Sequence, residues 1–186
     1  MHVIANVGLF KIGWLSCVYG AASGLAFEGC ILALFIVAFS IKQASNKHAE
    51  LLTLVLITLV GVIWESLVAS QNLMVYATQS NTQLESWALD GLVLAPYWLI
   101  VMWALFATTI NQSMAWLKDK LIIAAVMGAI FGPMAFVAGE KLGAVEFANE
   151  PAAMVLLAVG WGILMPLVCF IAKKIETRYK LGVSIA

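Results

Sequence analysis

Apolar residues in this chain fall into six runs, each close to the length that crosses a bilayer, and the polar residues fall into the breaks between them. A spanning helix requires about 20 mostly apolar residues at about 1.5 Å of rise each. Segments meeting that requirement run over about 3–22, 25–41, 51–70, 92–116, 121–139 and 151–172. The composition agrees: 63% of residues are hydrophobic and 11% charged, with a mean hydropathy of +1.01, where a soluble domain has about 45–50% and 25%. The expectation is all-α, a polytopic membrane helix bundle of six transmembrane helices forming a single integral-membrane domain over residues 1–186.

The breaks are short and identifiable. GAASG (Gly20 to Gly24) separates the first two segments, where glycine lowers helix propensity. Lys11 sits inside the first segment, where its long side chain can snorkel toward the nearer interface. A second apolar run follows at once, and Trp14 stands where a lipoprotein signal before Cys17 would carry a leucine-like residue, so a retained anchor is the better reading. KQASNKHAE (Lys42 to Glu50) leads into the third segment, and a longer connection, 71–91, carries Tyr76 and Trp87 as expected interfacial anchors. Pro96 is tolerable in the first turns of the fourth segment. Gly132-Pro133 should kink the fifth, and the sixth contains Pro166 before the basic tail KKIETRYK.

Charge placement orients the bundle. Lys42, Lys47, Lys118, Lys120, Lys173, Lys174, Arg178 and Lys180 share one side of a six-span arrangement, and Lys141 alone of the loop cations falls on the other. The positive-inside rule then places both termini in the cytoplasm of a bacterial inner-membrane, multi-pass protein. The rival is a five-span arrangement in which 12–41 forms one long helix and the N-terminus lies outside. Net charge is zero, so no global field points to nucleic acid. Three dispersed cysteines (Cys17, Cys30, Cys169) and two flanking histidines (His2, His48) suggest neither a disulfide framework nor a metal or cofactor site. No internal repeat is evident, which disfavours an inverted-repeat carrier.

Buried polarity supplies the candidate residues. Thr58, Gly61, Glu65, Ala69 and Asn72 share one stripe of the third segment. A mid-helix carboxylate costs about 2.5–3.5 kcal/mol to insert, so Glu65 should face the bundle interior, either as packing glue or as a functional carboxylate. Glu28, Glu65, Asp90 and Glu140, with Glu85, Glu146 and Glu150, fall toward the side opposite the lysines. They form either an acidic pocket able to divide acid and base roles, with Glu28, Glu65, Asp90 and Glu140 as catalytic candidates, or the residue left when cations are excluded from periplasmic loops.

In the fourth segment Ala104, Ala107, Thr108, Asn111 and Ala115 make a small and polar face, with Gln112 beside it. Gly128, Gly132 and Gly139 make a small stripe on the fifth. Such faces allow close backbone approach, and interhelical polar bonds add about 0.6 kcal/mol each, which predicts a tight hairpin of segments four and five. Lys173, Lys174, Arg178 and Lys180 can hold anionic lipid at about 1 kcal/mol per cation, or serve as a stop-transfer and orientation signal.

WLSCVYGAASG, FATTINQSMAWL and FGPMAFVAGEKLGA together resemble a bacterial family of small multi-span inner-membrane proteins catalogued as a domain of unknown function, over essentially the whole chain. Its members often carry His at the position of Gln112 and Asp at that of Glu65. The family's genes often lie beside lipid-modifying enzymes of the cyclopropane-synthase type, so the resemblance implies an envelope or lipid-related role and a lipid-modifying enzyme as partner. Three functions compete: a non-enzymatic component supporting lipid modification or lipid handling, an integral-membrane enzyme acting on a lipid or small amphiphile through the carboxylates, and a small carrier or channel. The enzyme requires two or more of those carboxylates to converge on one pocket.

Overall fold

The computed structural model describes residues 3–77 and 94–180. Among these, six α-helices follow in order: α1 (Val3–Ala22), α2 (Ala26–Gln43), α3 (Lys47–Ala69), α4 (Tyr97–Ile110), α5 (Leu121–Lys141) and α6 (Glu150–Lys180). All but α4 are long and apolar enough to cross a membrane. Their outward faces carry large apolar side chains such as Ile4, Phe35, Ile122 and Ile163, which water would disfavour and hydrocarbon accepts. The chain is a multi-pass membrane protein.

Helix α4 differs from the expected 92–116 segment: its continuous α-helix has 14 residues, about 21 Å at about 1.5 Å each. The polar run that follows explains the stop. Thr108 and Thr109 donate their hydroxyls back to the carbonyls of Leu105 and Phe106, each at 2.7 Å. Asn111 then caps the helix, and a turn leads to one 3₁₀ turn, Ala115–Leu117. Pro133 and Pro166 lie inside α5 and α6 and neither divides its helix.

Helices α1 and α2 pair as one hairpin and α5 and α6 as another, with α4 packed against α1, α2 and α3, and α3 against α6. Gly29 lets α2 meet α1, since a Cβ there would strike the Ser16 carbonyl, and Ser16 Oγ donates to the Gly29 carbonyl at 3.0 Å. The expected tight hairpin of the fourth and fifth segments is not formed. The small stripe of α5 instead faces α6: a Cβ on Gly128 would meet the Trp161 carbonyl and Met165, and one on Gly132 the Trp161 ring. Gly139 has no such neighbour among the described residues.

The first turns of α1 and the last turns of α6 occupy the same end of the bundle. Asn6 accepts from Ser113 Oγ at 2.6 Å, and Lys118 donates to Glu176 at 2.6 Å. The α2–α3 connection borders the same region, so the lysine-rich segments gather there. At the opposite end lies a feature absent from the helix reading: strands β1 (Met74–Tyr76) and β2 (Val145–Phe147), antiparallel, with Val75 opposite Glu146. This ribbon ties the exit of α3 to the exit of α5. Helices α1 and α5 scarcely touch, and the gap between them leads to the centre of the bundle.

Candidate functional site

Helix α3 places Glu65 in the bundle centre, 1% exposed. Its Oε1 accepts a 2.9 Å hydrogen bond from Trp103 Nε1 of α4, while its Oε2 is buried with no hydrogen-bond partner among the described residues. The approach of α4 depends on Gly61, one turn earlier, where a Cβ would collide with the Trp103 ring. Trp103 stacks on Trp161 of α6 at 5.0 Å between centroids and 13° between planes, and Phe106 stands edge-on to both. Beside them, burial pushes the Tyr76 phenol well above its usual range, and the charge of the neighbouring Glu65 carboxylate adds to the shift. Tyr76 therefore stays a neutral hydroxyl.

Glu65, Trp103, Phe106 and Trp161 form the inner wall of a cavity of about 450 Å³. Phe10 and Trp14 of α1 line one side and Phe131 and Ala135 of α5 the other, with Met102 of α4 at the floor. Along α5 the lining runs from Met127 to Gly139, about 18 Å at about 1.5 Å per residue. The lips are apolar and outward-facing, with Val7 40% and Phe131 54% exposed. Polar side chains in the lining are few. Thr109 and Ser113 already donate to Phe106 O and Asn6 Oδ1, leaving Lys11 at the rim and Glu65 in depth.

A polar cluster occupies the lysine-rich end. Asn111 donates to Glu50 Oε2 at 2.9 Å and accepts from Lys118 Nζ at 3.0 Å, and Lys118 also pairs with Glu176. Glu50 and Lys118 are buried, 6% and 7% exposed, so each charge is held by partners rather than water. This network joins α3, the turn after α4, and α6.

The candidates from the sequence separate accordingly. Glu28 is exposed in the first turn of α2, Glu140 is half-buried at the end of α5 and does not line the cavity, and Asp90 and Glu85 lie outside the described residues, as does Trp87. No described group of three or more His, Cys, Asp or Glu could hold a metal ion. Thr58 is half-buried with its hydroxyl unpartnered, and Gln112 borders the polar cluster with its side-chain oxygen buried and unpartnered. Thr108 bonds within its own helix, and its carbonyl accepts from Asn6 at 3.4 Å. Asn111 does link helices, to α3 rather than α5. In the tail, Lys173 pairs with Asp119 and Lys180 with Glu176, while Lys174 lies over the Phe170 ring and Arg178 is exposed. Glu50 was not singled out from the sequence, because it sits in a polar flank; its spacing of three from Thr53, on one helix face, was the available signal.

Comparison with curated proteins and with solved structures finds no match. A family model does match, over residues 3–167, and with that coverage the chain belongs to the family described as protein of unknown function (DUF2878).

Proposed function

We propose that this protein is a non-enzymatic lipid-handling component of the bacterial inner membrane, which takes a single hydrocarbon chain from the surrounding bilayer into the cleft between α1 and α5. The observation that carries this reading is the cleft itself: apolar, lined along α5 from Met127 to Gly139, and opening between two helices that scarcely touch. Its 450 Å³ falls within the roughly 300–1,000 Å³ of small-molecule sites. The enzymatic alternative draws less support, since Glu28 and Glu140 do not join Glu65 in the cavity wall and a division of acid and base roles needs two groups. The lysine-rich end, where α1 begins and α6 ends, faces the cytoplasm in this reading.

Purification in a mild detergent followed by mass spectrometry of retained lipid tests it. Wild-type protein should keep a chain-bearing molecule at near one per chain. Ala135→Trp, at an exposed lining position, should lose it while melting at the wild-type temperature. Equal retention by both proteins, or none by either, would overturn the reading.

A further inference from the structure

We infer that Lys11 is the head-group site of this cleft, and that the occupant is a single-chain amphiphile with an anionic, carboxylate head. The inference rests on the hydrocarbon-chain reading and adds the chemistry and direction of the bound molecule.

Lys11 lies midway along α1, faces outward, and forms no ion pair with any described residue. A cation within a spanning segment is costly, and such residues pair, reach the interface, or serve a ligand. Among the described residues lining the cleft, Lys11 is the one cation. Its depth follows from its neighbours on α1: Asn6 bonds the Thr108 carbonyl, and a Cβ on Gly13 would meet Leu105, so Lys11 stands between these two levels of α4. Side chains on a helix lean toward its N-terminus. The side chain therefore leans toward the lysine-rich end of the same cavity, whose lining also includes Thr109 and Ser113.

From that point to Gly139 the lining is apolar except for Glu65, which sits deeper, at the level of Trp103. A carboxylate head is attracted to the Lys11 ammonium at the rim, and the apolar lining beyond it receives the chain, which runs inward across the Trp103–Trp161 stack. The cavity volume, about 450 Å³, lies toward the small end of the roughly 300–1,000 Å³ of ligand sites, which favours a single-chain carboxylate over a two-chain lipid.

The stacked tryptophans provide the readout. Dibromostearate carries heavy atoms at mid-chain, where they would rest against Trp103 and Trp161 and quench their fluorescence. The full-length protein in detergent at pH 9 is titrated with dibromostearate and, separately, with the dibrominated alcohol of the same length. Wild type and Lys11→Arg should be quenched saturably by the acid. Lys11→Met, which keeps the apolar stem, should require at least tenfold more acid and unchanged alcohol, since a charge-assisted bond is lost and each tenfold is one step of affinity. Lys11→Met binding the acid as wild type does, with Ala135→Phe, which fills the cleft without adding a fluorophore, abolishing quenching, would overturn the head-group assignment and leave the cleft intact. Quenching of Ala135→Phe equal to wild type would remove the cleft reading together with this inference.

Discussion

Adding one methyl group at three glycines of α5 separates helix contact from open cleft. At Gly128 an added Cβ meets the Trp161 carbonyl, a backbone atom that no rotamer change can move, and the Met165 side chain near its root, at 2.6 Å from Cγ and 2.8 Å from Cβ. At Gly132 it meets the Trp161 ring and, at 2.6 Å, its Cβ. That ring cannot swing aside, because it is stacked on Trp103. Relief requires α5 and α6 to separate, and overpacking of this kind costs about 1–3 kcal/mol, with Gly128→Ala at the upper end. At Gly139 no described residue lies within 4 Å of the added Cβ, so the substitution should only remove glycine's helix penalty, a gain of up to about 1 kcal/mol. Thermal unfolding in detergent, followed by helical circular dichroism, should rank the proteins Gly128→Ala, Gly132→Ala, wild type, Gly139→Ala in rising stability. A Gly139→Ala protein as unstable as Gly132→Ala would refute the assignment of the stripe's partner to α6 alone.

Other substitutions probe the remaining contacts. Glu65→Gln keeps an acceptor for Trp103 Nε1, whereas Glu65→Leu leaves that indole N–H buried and unmade, so the leucine protein should unfold about 1–3 kcal/mol more easily in the same melts. Asn111→Leu removes bonds to both Glu50 and Lys118 and should cost about 1.5–3 kcal/mol, with little change on adding salt. Lys173→Ala removes a pair whose side chains are 53% and 68% exposed, and should shift the melt by no more than about 1 kcal/mol, less at high salt. An alkaline phosphatase fusion at the N-terminus should be inactive if both termini are cytoplasmic; an active one would restore the five-span arrangement.

The helices were legible because insertion into hydrocarbon demands long apolar runs, and that demand is written in consecutive residues. The end of α4 was harder to read. Ala115, Trp116 and Leu117 continue the apolar pattern, but the hydroxyls of Thr108 and Thr109 and the cap at Asn111 stop the helix first. Small residues at Gly128 and Gly132 announced a close contact without naming its partner, since a stripe of glycines fits any helix with a bulky face. Trp161 and Met165, on α6, supply that face. Glu65 stood out as a carboxylate in an apolar run, and its interior position follows. The cleft could not be seen in advance, because it arises from α1 and α5 failing to meet, a property of the whole bundle and of no residue pattern. The same holds for Lys11, whose snorkelling is evident from its length while its place at the rim of a cavity is not.

Where a bilayer chain travels can be marked directly. The protein in nanodiscs is illuminated with a lipid bearing a diazirine at mid-chain, and the adducts are mapped by peptide sequencing. A chain resident in the cleft predicts adducts on Met102 and Phe106 of α4, beside those on Trp14 and Phe131. Adducts confined to outward-facing residues such as Phe35, Ile122 and Ile163, with none on α4, would contradict it.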